Sequence, residues 1–345
     1  MKITTYDYID SNKRKTVLLV CLFPLTLFFL LFVVLYFVIW LFPELRVNNS
    51  PIITQIFNFY WIFFLCCFLA STLWTVVSFQ QSSDIILRSI NVAKADDLEF
   101  SNDEIEKMLK GEIVSVKEVQ RILENVSITA GIPTPKLYIL EKEKWLNAFA
   151  VGTKEKNFAI VLTKGLIKEL DKSEIEAVIA HEVAHIVHKD TRLMMVIVLL
   201  IGFFTYFGYI LIRSQFRRRS SKGKGMFLIL LVGLAFLIYG YVVAPLIRFA
   251  VSRTREFEAD AKSALLTRNP QALISALIKI NEHSIVGILN SDFGNNELVA
   301  PMCIANPLKK KISLFDSLSN LSSTHPPIEK RIQALEVMDG QRLDF

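Results

Sequence analysis

The chain has 345 residues, enough for a membrane unit and one modest catalytic domain. Hydrophobic residues make up 52% and mean hydropathy is +0.40, which is more apolar than an ordinary soluble domain. The net charge of +6 is of the size that juxtamembrane Lys and Arg produce, and no basic surface interleaved with aromatics argues for nucleic acid. Of the four cysteines, Cys21, Cys66 and Cys67 lie in apolar runs and Cys303 stands alone. Without a C-x-x-C pair, neither a disulfide framework nor a thiolate metal site is expected, and a soluble part on the reducing side fits.

In chain order, residues 1–15 form a polar N-terminus ending in Lys13-Arg14-Lys15. Two charge-free runs follow, 16–42 and 51–79, and two more come later, 193–212 and 226–247. Each is long enough to span a bilayer, which takes about 20 apolar residues. The first run has no small-residue cleavage site, so it reads as a retained anchor rather than a signal peptide. Basic residues before it place the N-terminus in the cytoplasm. The runs then form two hairpins, 16–79 and 193–247, with residues 80–192 and 248–345 on the cytoplasmic side. The loop between the last two runs carries Arg213, Arg217, Arg218, Arg219, Lys222 and Lys224. Counting spans puts that loop outside, against the positive-inside rule. Either the first hairpin dominates orientation or the second does not fully cross.

Residues 80–192 and 248–345 read as two parts of one catalytic domain built around the second hairpin. In the first part, Ser115-x-x-Glu118 is a capping box that opens a helix ending near Gly131. Lys136–Leu140, Trp145–Val151 and Asn157–Leu162 read as short strands, and Lys164–Leu170 as a short helix. Ser173-x-x-Glu176 reads as a second capping box, with a helix starting near Glu174. The expected architecture is mainly α, with four membrane helices and an α+β domain holding a small sheet.

On that last helix Ile175, Val178, Ile179, Val183 and Ile186 form an apolar stripe, and His181 and His185 lie at its edge. Side chains four residues apart stack on one helix face, so the two imidazoles can grip one tetrahedral zinc. Glu182 is rotated about 100° from His181, within reach of a water at an open coordination position, as a general base must be. A catalytic zinc needs a third protein ligand. No third histidine follows at the spacing of the metzincins. The segment Ser252-Arg253-Thr254-Arg255-Glu256-Phe257-Glu258-Ala259-Asp260 places Glu256 and Asp260 on one helix face and Glu258 on the other. Either carboxylate can bind zinc while the other orients a ligating imidazole. His188 is on the same side of the helix as His181, but one helix does not readily aim three stacked imidazoles at one ion, so it reads as a neighbour.

These residues carry a family resemblance. Asn147-Ala148-Phe149-Ala150, His181-Glu182-Val183-Ala184-His185 with Asp190 behind it, the 252–260 segment, and Ser323-Thr324-His325-Pro326-Pro327-Ile328-Glu329-Lys330-Arg331-Ile332 together resemble the HtpX-type membrane zinc proteases. These are relatives of the CAAX prenyl proteases and share a gluzincin site. The resemblance implies one Zn2+ per chain held by His181, His185 and Glu256, with Glu182 as the base. It places Asp260 and Arg253 beside the ligands, and brings His325 and Arg331 to the site as oxyanion partners. It makes Asn147, Ala148, Phe149 and Ala150 an edge strand that receives an extended substrate. It further implies quality control of misfolded or damaged membrane proteins at the cytoplasmic face of the cell membrane. The chain departs from the family in having His at 188 and in its basic 213–224 loop.

Three rival readings keep different predictions. A CAAX-type prenyl-peptide protease would need more helices around an intramembrane chamber. A silent zinc-containing scaffold would not need Glu182. A transporter would carry charges inside the apolar runs, which have none. Substrate identity and oligomeric state are not encoded in any of these signals.

Overall fold

The computed structural model describes residues 113–217, 229–240, 254–287 and 326–340, together with Ile304 and scattered positions before residue 112 and at 227. The chain divides into two compact units. One comprises residues 1–12, 81–195 and 247–345, and the other residues 13–80 and 196–246.

The first unit is mainly helical with a small mixed sheet. Its elements are β1 (Ala93–Lys94), α1 (Val116–Ala130), β2 (Lys136–Leu140), β3 (Ala148–Val151), β4 (Ala159–Thr163), α2 (Lys164–Glu169), α3 (Lys172–Val187), the start of α4 (Asp190–Arg217), α5 (Thr254–Thr267), α6 (Pro270–Gly287) and α7 (Ile328–Gly340). Sequence chemistry sets several boundaries. Ser115 caps α1 by accepting the Glu118 N–H, and Gly131 ends it with φ 72°, a left-handed conformation glycine adopts without strain. Gly165 is required for a different reason: a Cβ there would collide with the Lys144 backbone, which passes directly over α2.

The sheet order is β1-β2-β4-β3. β2 and β4 run parallel, while β1 on β2 and β3 on β4 are antiparallel. Among the described residues β3 is therefore an edge strand. β4 is buried along its whole length, as a central strand of a covered sheet should be. A continuous core joins α1, the sheet, α3, α6 and α7 through residues such as Leu123, Ile139, Leu162, Val178, Leu277 and Leu335.

α3 begins two residues earlier than the sequence signal at Ser173-x-x-Glu176. The N-cap is Asp171, in a capping box with Glu174. The Asp171 carboxylate accepts the Glu174 N–H at 2.9 Å, and Glu174 accepts the Asp171 N–H at 2.8 Å. Ser173 instead donates its hydroxyl to Asp171 at 2.7 Å. Two overlapping cap patterns stand two residues apart, and the aspartate prevails because Glu174 is also held by Ser275 and Lys279 of α6, at 2.6 and 2.7 Å.

The second unit contains the rest of α4 and helical residues 229–240, where Phe204 packs on Phe236 and Tyr239. Among the described residues no helix is long and apolar enough to cross a membrane. The runs 16–42 and 51–79 lie largely outside the described residues, 226–247 lies partly outside, and the side chains of 197–201 within the run 193–212 are not described.

Candidate metal centre

α3 is buried over nearly its full length, and α5 packs against it; the Ser263 hydroxyl of α5 donates to the Ala177 carbonyl of α3 at 2.7 Å. This contact sets the register of two helices whose polar side chains converge. His181 and His185 present their rings edge to face, with centroids 4.7 Å apart. Their Nε2 atoms are 3.2 Å apart. Glu256, in the first turn of α5, brings Oε2 to 3.8 Å from His181 Nε2 and Oε1 to 3.6 Å from His185 Nε2. These three side chains form a group able to hold a metal ion, the one such group found among the described residues.

The fit can be tested from the donors alone. Donor atoms around a tetrahedral zinc at about 2.0–2.1 Å lie roughly 3.3–3.4 Å from one another. The two imidazole nitrogens, 3.2 Å apart, match that spacing; Glu256 approaches them through different oxygens, at 3.8 Å to His181 and 3.6 Å to His185, and one donor atom from each residue lies within 4.8 Å of the others. The donor types, two imidazoles and a carboxylate, suit zinc as well. Three protein donors would leave a tetrahedral ion one position for water or substrate.

Each imidazole is fixed from behind. His181 Nδ1 lies 2.9 Å from Asp260 Oδ1, and His185 Nδ1 lies 3.0 Å from Asp190 Oδ2. An ionised carboxylate only accepts, so each Nδ1 carries the proton and each Nε2 is left as a donor to metal. Each carboxylate is in turn held by a buried arginine. Arg331 gives Asp260 two bonds, Nε to Oδ2 at 2.8 Å and Nη2 to Oδ1 at 2.6 Å. Arg255 Nη1 donates to Asp190 Oδ1 at 3.0 Å. Arg331 Nη1 also lies 3.6 Å from Glu256 Oε2 and donates to the Ile304 carbonyl at 3.5 Å.

Burial and charge set the protonation states of the metal-free site. Burial pulls His181 down to about 4, against the pull of Asp260. Burial acts the same way on His185, but the Asp190 hydrogen bond and the charges of Glu256, Asp190 and Glu182 outweigh it and raise it to about 9. Burial, with help from the Glu256 charge, pushes Glu182 up to about 7, the range in which a general base works best. Asp260 and Asp190 stay below the usual carboxylate range despite burial, because Arg331 and His181 hold the one and His185 and Arg255 the other. His188 caps the end of α3 and is lowered by burial. It is not in the metal-holding group.

The Asn147–Ala150 segment supplies β3. The register with β4 points the N–H and C=O of Ala148 and Ala150 away from the sheet. At Ala148 both are engaged: the N–H is covered by Asn147 Oδ1 at 2.8 Å, and the carbonyl accepts the Ile304 N–H at 3.0 Å. The Ala150 N–H donates to Glu182, so the general-base candidate sits directly at the sheet edge. Phe149 is buried in the opposite sense.

Sequence reasoning brought His181, Glu182, His185, Glu256, Asp260 and Arg331 together, and they do lie together. Arg331 has no exposed surface and is clamped on Asp260. His325 and Arg253 lie outside the described residues. The sequence reading assigned no partner to Asp190 and no role to Arg255 or Ile304. For Arg255 the available signal was its place directly before Glu256.

A buried His-Glu-x-x-His helix with a glutamate supplied by a second helix defines a metallopeptidase centre. Residues 115–339 match the family model described as Peptidase family M48. A "Protease HtpX homolog" of Dictyoglomus turgidum is 36% identical over 98% of this chain and 96% of its own length. Another from Bacteroides fragilis is 39% identical over 69% of this chain and 74% of its own. A solved structure, "Crystal Structure of S. mikatae Ste24p", aligns with TM-score 0.46 and 19% identity over 88% of this chain and 61% of that one, too slight a likeness to build on. The chain belongs to peptidase family M48, a zinc-dependent family, and is a metalloprotease with protein or peptide substrates.

Proposed function

We propose that this protein is a membrane-bound zinc endopeptidase that cleaves misfolded or damaged proteins at the cytoplasmic face, with His181, His185 and Glu256 as metal ligands. The observation that carries the reading is the convergence of His181 Nε2, His185 Nε2 and the Glu256 carboxylate within 3.2–3.8 Å, beside a glutamate bonded to an edge strand. Bound zinc would polarise the scissile carbonyl and activate a water near neutral pH.

The chain's own residues then have separate tasks. Glu182, held near 7 by burial, accepts the proton of the attacking water and returns it to the leaving amine. Asp260 and Asp190 keep both imidazoles in the tautomer that presents Nε2. Arg331 steadies Asp260 and offsets the charge of Glu256, and His325 is the remaining candidate for an oxyanion partner. An extended substrate pairs with β3 through the Ala150 carbonyl, the Ala150 N–H being given to Glu182. To lie along the whole strand it takes the place of the Ile304 N–H at the Ala148 carbonyl. Such backbone pairing suits an enzyme that accepts varied side chains. The apolar runs 16–42, 51–79, 193–212 and 226–247 are the proposed tether that brings it to membrane-protein substrates.

The test uses protein purified in detergent with chelator and then given zinc. Cleavage of an unfolded protein should depend on zinc and fall by about 10²- to 10⁴-fold in Glu182→Gln, with zinc content unchanged. Full activity in that variant would remove Glu182 from the chemistry. Cleavage of a farnesylated peptide but no unfolded protein would favour the prenyl-peptide reading instead.

A further inference from the structure

The two imidazoles are backed alike, by an aspartate and then an arginine, yet the parts have different origins. Behind His181 both come from elements that start well away from α3: Asp260 from α5 and Arg331 from α7. Behind His185 the aspartate comes from the next helix in the chain. α3 ends at Val187, Lys189 takes a left-handed conformation at φ 62°, and Asp190 opens α4. Lysine is rarely found in that conformation, so the turn that aims Asp190 back at His185 is a strained one and needs a hold from outside. The Asp190 carboxylate meets His185 through Oδ2 alone, a single contact that does not fix the plane of the group. Its other oxygen meets Arg255 Nη1.

We propose that Arg255 is a positioning residue for the metal centre, acting through Asp190 on His185; this rests on the metal-centre reading above. Arg255 and Asp190 are both buried, at 4% and 3% exposure. Arg255 Nε and Nη2 have no hydrogen-bond partner among the described residues, so Asp190 is the acceptor that orients the guanidinium. Taking the arginine away removes the buried guanidinium that faces Asp190 Oδ1 and leaves that oxygen's side of the carboxylate less firmly held. The pairing is also economical in geometry. Arg255 directly precedes Glu256, so one turn of α5 delivers the third ligand and, through Asp190, fixes the second. It also joins the first residue of α4 to the second residue of α5.

The experiment uses the full chain in detergent and three readouts: zinc affinity by competition with a fluorescent chelator, the visible absorption of the cobalt(II)-substituted protein, and the melting temperature of the metal-free protein. Arg255→Met should weaken zinc binding by about 10- to 100-fold and change the cobalt bands. Arg255→Lys should recover most of the affinity, because a single donor reaches Asp190 in the native pair. A merely structural arginine would lower the metal-free melting temperature and leave the cobalt bands as they are. The proposal is overturned if Arg255→Met binds zinc within about threefold of wild type with unchanged bands, or if lysine restores nothing. Should Arg255→Met fail to fold, Arg255→Gln, which keeps a neutral donor, decides: altered bands support the proposal and wild-type bands overturn it. A wild-type protein that binds no zinc would instead fail the metal-centre reading itself.

Discussion

The two ends of α3 are both secured by carboxylates, but the partners come from different distances along the chain. At the N-terminal end, Asp171 and Glu174 close a capping box within one turn, and α6 adds Lys279 and Ser275. At the C-terminal end, His181 and His185 depend on Asp190, Arg255, Asp260 and Arg331, drawn from three other helices. At the first end Glu174 is paired with Lys279 and Lys172 with Glu118. The second brings two imidazole nitrogens and the two oxygens of one carboxylate together, with nitrogen–oxygen contacts of 3.6 and 3.8 Å, an arrangement a cation relieves. One end builds the helix, and the other holds charge in place for chemistry.

Three perturbations sharpen this contrast. The largest effect is expected at the C-terminal end. Arg331→Leu leaves Asp260 and Glu256 buried without their cation, and should cost about 3–5 kcal/mol of stability in denaturant unfolding and weaken zinc retention. A variant as stable as wild type would mean that the pair is solvated in solution. Next is pH. In the metal-free protein His185 holds a proton up to about 9, which must leave before Nε2 can bind metal. Below pH 9 zinc affinity should fall by about tenfold per pH unit, and zinc uptake near pH 8 should release about one proton. Titration calorimetry in buffers of different ionisation enthalpy reads that proton directly. No released proton would show that Asp190 does not hold His185 charged. The smallest effect belongs to the other end: Asp171→Ala should cost about 1 kcal/mol of stability and leave zinc affinity unchanged. A change in metal binding there would break the division between the two ends.

The same contrast explains how much the sequence disclosed. Local signals were readable. The Ser115 cap and Gly131 stop bound α1, the Lys136–Leu140 strand stands where its pattern put it, and the His181/His185 spacing stacks two rings. The N-cap of α3 shifted from Ser173 to Asp171 because the decisive partners of Glu174 lie on α6, about a hundred residues away. Strand β1, two residues long, carries no pattern that a sequence could show. Arg255 and Ile304 were missed for a related reason. One acts through a helix-opening aspartate and the other through its backbone N–H, which any residue but proline could supply. Arg331 was expected to face an oxyanion, and its full burial against Asp260 follows from packing of α7 on α5, which spacing does not encode.

The central claim is that His181, His185 and Glu256 hold one zinc. X-ray absorption at the zinc edge, on wild type and Glu256→Ala, tests it most directly. The account predicts one zinc per chain in wild type, with two imidazoles and oxygen ligands at about 2.0–2.2 Å and no sulfur, and a changed first shell in the variant. Sulfur at about 2.3 Å, or a spectrum unmoved by the loss of Glu256, would contradict it.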